Sequence, residues 1–147
     1  MAAAHGKKMA SSNQVGRAII GGLAGTALMT FLTDSLSRKL HADTINHADF
    51  LAGLTRSGKT VGEVEHYTLG GVIMPLAYSR VGRLLPGPKI LKGLGWGGLL
   101  WVAAETSLSP AAGKGIFESQ AQNRRGALLA SLAGHLAYGV AQAMIAA

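Results

Sequence analysis

Residues 126–147 read GALLASLAGHLAYGVAQAMIAA, a segment in which no side chain carries a formal charge. A helix that crosses a bilayer needs about 20 consecutive, mostly apolar residues, and this segment meets that requirement. Gly126, Ala130 and Gly134 recur at every fourth position, where small residues allow a neighbouring helix to approach closely. The segment is therefore predicted to be a transmembrane helix that packs against other helices.

Three earlier segments have the same apolar character. They are residues 18–37 (AIIGGLAGTALMTFLTDSLS), 66–85 (HYTLGGVIMPLAYSRVGRLL) and 93–109 (GLGWGGLLWVAAETSLS). Gly21 with Gly25, and Gly93 with Gly97, give the GxxxG spacing that is typical of closely packed membrane helices. We therefore expect an all-α fold, an integral membrane bundle of four transmembrane helices with close packing of the GxxxG type.

The composition also indicates a membrane protein. Hydrophobic residues make up 48% of the 147 residues and charged residues only 14%, whereas a soluble domain has roughly 25% charged residues. The net charge of +7 comes from lysines and arginines that stand singly or in pairs between apolar segments, as at membrane flanks, so nucleic acid is not an expected partner. The chain has no cysteine, which excludes disulfides and thiolate chemistry.

The connecting segments differ in character. Residues 1–17 are predicted to be a disordered basic tail ahead of a transmembrane domain at 18–147. Residues 38–65 form a long extramembrane loop, in which NHADFLAGL (46–54) is expected to be a short surface helix. The turn PGPKILK (86–92) predicts that the second and third helices are antiparallel neighbours. Seven of the 14 lysines and arginines fall on each side, and the dense cluster in this short turn favours cytoplasmic termini.

The loop contains one nucleotide-binding pattern. Residues 53–60, GLTRSGKT, match the phosphate-binding loop G-x-x-x-x-G-K-[ST] at every fixed position. That motif requires a preceding buried strand, whereas NHADFLA carries charge and histidine. We interpret the match as chance and expect no nucleotide site and no catalytic activity.

Ionisable side chains inside a membrane segment are costly and often functional. Asp34 lies near the end of the first helix, His66 at the start of the second, Glu105 near the end of the third and His135 in the first half of the fourth. Because the helices alternate in direction, these positions belong to one half of the bilayer. A polar face of the fourth helix adds two more. The predicted intramembrane polar pocket contains Asp34, His66, Glu105, His135, Tyr138 and Gln142.

Several roles remain open for this pocket. Glu105 with a histidine partner suits proton binding or pH sensing. His66, Glu105 and His135 form a possible ligand set for zinc or iron, and His66 with His135 form a possible pair of haem ligands. In the structural alternative, these groups only join helices through hydrogen bonds. The HAD repeat at 41–43 and 47–49 is interpreted as chance or as a solvated loop.

From His66 onward the chain resembles the YagU-like group of small bacterial inner-membrane proteins. The features in common are His66 with Tyr78 twelve residues on, the passage PGPKILKGLGWGG, Pro110 and the pair Gly134 and His135. The resemblance implies a helical bundle in the inner membrane and no established reaction.

Together these observations predict a small multi-pass protein of a bacterial inner membrane, without catalytic activity of its own. The expected role is an accessory or structural subunit, with lipid and other membrane subunits, or further copies of the chain, as partners. The alternatives are a protein that transports or senses protons or metal ions through the Glu/His site, or a haem-binding membrane subunit. The sequence requires no cofactor.

Overall fold

The computed structural model describes residues 2–82 and 84–146, and side chains from residue 13 onward; Met1, Arg83 and Ala147 lie outside it. The described residues form helices and no strand, which confirms the predicted all-α class. A π-helical turn joins α3 and α4 into one continuous helix, so the described residues contain five helical segments and a short 3-10 turn. The elements are α1 (Ala2–Leu40), α2 (His47–Thr55), α3 (Lys59–Thr68), the π turn (Leu69–Ile73), α4 (Met74–Val81), α5 (Lys89–Ala111), the 3-10 turn (Ile116–Glu118) and α6 (Arg124–Ala146).

Two helices of the described chain, not four, are long and apolar enough to cross a membrane by length and composition. They are residues 13–40 of α1 and the whole of α6, which together point to a membrane protein. The other two predicted spans coincide with helices of different bounds. Of the predicted span 66–85, residues 66–81 lie in the helix that runs from Lys59 to Val81, and residues 93–109 lie inside α5.

The first helix begins earlier than the sequence indicates. Residues 2–17, predicted to be a disordered tail, continue α1 without a break. The physical reason is local, because the segment contains four alanines and two lysines, which favour helix, and no proline.

The centre of the molecule is the pair α1 and α6, which make the most extensive contact. The helix formed by α3 and α4 packs on α1, and α5 packs on α6. The second and third predicted helices, which we expect to be antiparallel neighbours, each pack mainly on the central pair. They meet through Tyr78 and Trp96, whose ring centroids are 5.7 Å apart, in a core that also includes Met29 and Tyr138.

Two glycines of α5 bring its backbone against α6. A Cβ added at Gly93 would lie 2.7 Å from the carbonyl oxygen of Gly139, and one at Gly97 would meet the carbonyl oxygen of His135. No side chain fits at either position without moving a helix. The close approach holds α5 in the register that buries Glu105 against α6.

The π turn follows from a proline. Pro75 has no N–H for the carbonyl four residues earlier, and its ring collides with that carbonyl in a regular helix. The chain widens instead, so that the backbone N–H of Met74 donates to the carbonyl of Leu69. Tyr138 of α6 then donates its hydroxyl to the carbonyl of Gly70 at 2.7 Å. The irregular turn is thus tied to the central helix.

The long loop folds into a helical hairpin. Asn46 caps α2 by accepting hydrogen bonds from the backbone N–H groups of Ala48 and Asp49. Gly62 of α3 lies against the backbone of Ala48, which lets α2 and α3 pack closely. The expected surface helix is therefore present, and the GLTRSGKT pattern spans the end of α2, a turn and the start of α3. This is a helix, turn and helix, not the strand, loop and helix of a phosphate site.

Candidate functional site

Three imidazoles meet where the α2–α3 hairpin packs against the central helices. The ring of His47, the first residue of α2, stacks on that of His66 in α3, with centroids 5.5 Å apart and planes inclined by 12°. The ring of His135 in α6 meets His47 edge-on at 5.8 Å. His66 and His135 are buried, and Thr30 of α1 contacts Nε2 of His66 at 3.3 Å. We call these three residues the histidine cluster.

Hydrogen bonds continue from the histidine cluster to a buried acid. Nδ1 of His135 donates to the carbonyl oxygen of Ser131 at 2.9 Å, since a carbonyl only accepts. The hydroxyl of Ser131 donates to Oε1 of Glu105 at 2.7 Å, and the hydroxyl of Ser109 donates to Oε2 at 2.8 Å. Glu105 is only 2% exposed. Both of its carboxyl oxygens therefore have partners, as burial of an acid requires.

A second buried acid continues this path. Glu118 is 1% exposed, and its Oε1 lies 3.5 Å from the hydroxyl of Ser109. Its Oε2 has no hydrogen-bond partner. Glu118 and the preceding Phe117 have positive φ angles of 52° and 49°, a conformation that costs roughly 1 to 2 kcal/mol for a residue with a side chain. Such strain clusters at functional sites, and here it turns the Glu118 carboxyl inward. The acid path comprises Glu118, Ser109, Glu105 and Ser131.

The pKa values of Glu118, in the acid path, and His47, in the histidine cluster, are shifted in opposite directions. Burial, with the proximity of Glu105 next in importance, raises the pKa of Glu118 to about 7; Lys114 and the hydroxyl of Ser109 partly oppose this shift. Burial, followed by repulsion from His135 and His66, lowers the pKa of His47 to about 3. Near neutral pH, Glu118 therefore exchanges a proton readily, and His47 stays neutral.

A polar cavity of about 370 Å³ opens beside the histidine cluster. Asp34 and Thr33 of α1 line one wall, and Lys59 and Glu63 of α3 line another. His47 and His66 form part of its lining. Five of the eleven lining residues belong to the 38–65 loop. Lys59, the first residue of α3, is the lysine of the GLTRSGKT pattern.

A second cavity lies on the other side of His66. It has a volume of about 260 Å³ and opens between the α3–α4 helix and α5. Most residues of its wall are apolar, while the buried side chains of His66, His135 and Tyr138 lie at its inner end. We call it the lateral cleft. His66 and Met29 line both cavities, so they separate a polar compartment from an apolar one.

The structure brings most of the predicted pocket residues into one region. His66 and His135 belong to the histidine cluster, Glu105 follows on the acid path, and Asp34 lines the polar cavity. Tyr138 lies at the lateral cleft. Gln142 is not part of this region, because it lies two turns further along α6 and donates to the carbonyl of Ala18 at 3.1 Å.

Two residues of the site do not stand out in the sequence. His47 belongs to the HAD repeat that we interpreted as chance, and Glu118 lies in a connection between helices. For His47 a signal exists, because Asn46 is a strong helix cap directly before it. For Glu118 none exists, since its burial depends on how residues 112–123 fold back over the helix ends. Among the described residues, no group of three or more His, Cys, Asp or Glu side chains is arranged to hold a metal ion.

Comparison with known proteins gives one result. No curated protein and no solved structure matches the chain. A family model, described as a family of unknown function, matches residues 12–146 and so covers the histidine cluster, the acid path and both cavities. The chain belongs to this family of unknown function, DUF6789.

Proposed function

We propose that this protein binds and exchanges protons through the acid path and the histidine cluster within one half of a membrane. The observation that carries the proposal is the series of contacts from Glu118 through Ser109, Glu105 and Ser131 to His135. The hydroxyls of Ser109 and Ser131 donate to Glu105, and His135 donates to the backbone carbonyl of Ser131, which only accepts. The path ends at the histidine cluster and the polar cavity, so it does not cross the bilayer. Proton sensing, or proton delivery to a bound molecule, fits this geometry better than conduction.

The charged groups around the path determine how it titrates. Glu118 faces Glu105 across Ser109, and Lys114 and Asp43 pair next to it on the outer side. At the other end, Asp34, Lys59 and Glu63 surround the polar cavity beside the histidines. A proton on Glu118 removes its repulsion with Glu105 and supplies a hydroxyl that can donate to Ser109. Protonation at one end therefore changes the hydrogen bonding of Glu105 at the centre.

We infer further that the protein crosses a bacterial inner membrane four times. Besides α1 and α6, two further helices are long enough to cross. Helix α5 has 23 residues, which span about 35 Å at 1.5 Å per residue, and the α3–α4 helix is of similar length. Large apolar side chains are exposed on the outer faces of both, such as Ile73 and Leu76 on one and Leu99 and Val102 on the other. Lipid is the environment in which such faces are stable. Cytoplasmic termini and the YagU-like resemblance stay predictions.

The proton-binding proposal is tested by infrared difference spectroscopy of the full-length protein in lipid. Between about pH 5 and about pH 8, the carbonyl band of one protonated carboxyl should disappear with a midpoint near 7, and Glu118→Gln should remove it. Glu105→Gln should shift this midpoint to lower pH because it removes the neighbouring negative charge, and Lys114→Met should shift it to higher pH. Glu65→Gln is the matched control, because Glu65 of α3 is half-buried and lies outside the acid path and both cavities. A midpoint that Glu105→Gln does not move would contradict the proposal.

An accessory or structural role in a larger complex is compatible with proton binding and stays a prediction. If the protein has this role, purification in mild detergent should yield partner proteins, or further copies of the chain, in a fixed ratio. The metal-ion and haem alternatives stay predictions as well. The metal content and the visible absorption spectrum of the same preparation test them directly.

A further inference from the structure

The lateral cleft has the form of a site for a molecule that enters from the bilayer. Its mouth lies where the α3–α4 helix and α5 do not pack closely on each other, and its floor is formed by α1 and α6. Leu69 lines one side, and Leu100 and Leu108 line the other. In a membrane this mouth opens towards the acyl chains. A π-helical turn forms part of the wall, and such turns are frequent at functional sites.

The polar groups at the inner end limit what can bind. Among the described residues, no Asp, Glu, Lys or Arg lines the lateral cleft, so a charged head group would find no counter-ion there. The hydroxyl of Tyr138 is occupied by the Gly70 carbonyl. His135 donates through Nδ1 to Ser131, which leaves Nε2 of the neutral ring as an acceptor. The inner end therefore favours an uncharged group that donates a hydrogen bond.

Size gives a second limit. A volume of about 260 Å³ is below the usual range of about 300 to 1,000 Å³ for sites that enclose a whole ligand. It suits one substituted ring, and anything longer must extend through the mouth into the lipid. An apolar tail satisfies this requirement at no cost in desolvation.

We propose that the lateral cleft binds the ring of a prenylated hydroquinone, with a ring hydroxyl donating to Nε2 of His135 and the tail in the bilayer. The inference rests on the proposed function in one respect, because the same histidines link the bound hydroxyl to the acid path and the polar cavity. The ring of His66, which lines both cavities, would then separate a lipid-soluble molecule with an exchangeable proton from the polar cavity. The proposal concerns binding and includes no electron transfer.

The test uses titration calorimetry of the full-length protein in detergent with three probes: decylubiquinol, decylubiquinone and palmitate. Decylubiquinol should bind saturably. The quinone, which lacks the donated hydrogen bond, should bind about tenfold more weakly, as expected for the loss of one hydrogen bond. Palmitate should not compete, because its carboxylate has no partner in the cleft. Absence of saturable quinol binding, or tighter binding of palmitate, would overturn the proposal.

Two variants of α5 locate the binding site. Ala103 is exposed on the wall of the lateral cleft, and Val102 next to it is exposed outside the cleft. Ala103→Phe should fill the cleft and weaken quinol binding by at least about tenfold, whereas Val102→Phe should leave it unchanged. Both substitutions add an apolar ring at the protein surface, so neither should prevent folding. Equal affinities of these two variants would rule out the cleft as the site.

The same preparations separate this inference from the proposed function. Ala103→Phe should leave the carboxyl titration of Glu118 unchanged, because it touches neither the acid path nor the polar cavity. Normal titration without quinol binding would overturn the inference alone. Quinol binding with no carboxyl that titrates near neutral pH would overturn the proton-binding function alone.

Discussion

At the scale of single residues, the unusual feature is how many polar side chains are buried at one end of a helical protein. Glu105, Glu118 and His135 are each at most 6% exposed. Buried charges are expensive unless they are paired, and the usual outcome is a shifted pKa. The two shifts that lie outside the expected membrane spans, at Glu118 and His47, have opposite consequences for stability.

The first prediction concerns Glu118. Its pKa is raised from 4.5 to about 7 in the folded protein, so the folded state binds a proton more tightly than the unfolded state. This contribution to stability is fully present below about pH 4.5 and is lost as the pH rises through about 7. Glu118→Gln should remove this part of the pH dependence. Thermal unfolding in detergent, followed by circular dichroism, measures it; an unchanged pH profile in the variant would contradict the assignment.

The second prediction concerns His47, for which the sign is reversed. Its pKa is lowered from 6.5 to about 3 on folding, so the unfolded state binds the proton more tightly. Stability is complete above about pH 6.5 and falls as the pH decreases towards 3. His47→Gln should reduce the loss of stability in acid, whereas His41→Asn, at an exposed position outside the cluster, should not. The same unfolding assay compares the two variants, and equal pH profiles would argue against a His47 that stays neutral in the folded protein.

At the scale of helices, glycine positions determine where α5 lies. A Cβ added at Gly97 would meet the backbone of His135 and Leu136, whereas one added at the adjacent Gly98 would meet no atom within 4 Å. The two residues are neighbours on one helix, yet only one is required for packing. This difference cannot be read from a GxxxG count.

The third prediction uses this pair. Gly97→Ala should destabilise the protein by roughly 1 to 3 kcal/mol, because the added methyl group forces α5 away from α6. Gly98→Ala should be neutral or stabilise by up to about 1 kcal/mol, since alanine favours helix over glycine. Melting temperatures of the two variants provide the comparison. Similar destabilisation by both would mean that α5 and α6 do not pack as closely as the structure has them.

At the scale of the whole molecule, the arrangement has two ends of different character. One end carries the α2–α3 hairpin and residues 112–123. There Lys114 pairs with Asp43, in the connection before α2, and Asn123 donates to the carbonyl of Leu40 at the end of α1. The other end carries the start of α1, the turn before α5 and the end of α6, where Arg17 donates to the carbonyl of Ile145. The acid path, the histidine cluster and the polar cavity all lie towards the first end.

The fourth prediction tests the number of spans. The chain has no cysteine, so a single introduced thiol reports its side of the membrane without background. With four spans, Lys89→Cys and Gln120→Cys should react with an impermeant thiol reagent from opposite sides. With only α1 and α6 across the membrane, both positions lie in the segment between them and should react from the same side. With cytoplasmic termini, Gln120→Cys is the one labelled in intact cells.

The helical class follows from the sequence alone, because apolar runs such as 126–147 with small residues at every fourth position are compatible with little else. The sequence also predicts that Asp34, His66, Glu105 and His135 lie near one end. In helices of alternating direction, the position of each residue along its helix gives its depth, and no knowledge of side-chain contacts is needed. The start of α1 differs from the prediction, because residues that favour helix continue it through residues 2–17. The packing of the α3–α4 helix on α1 and of α5 on α6 was not predicted, because the short turn at 86–92 indicates only that α4 and α5 are neighbours. His47 and Glu118 join the site only through long-range folding. The α2–α3 hairpin brings His47 to His66 and His135, and the strained turn at Phe117 and Glu118 brings the Glu118 carboxyl to Ser109 of α5. Neither contact is associated with a periodic pattern in the sequence.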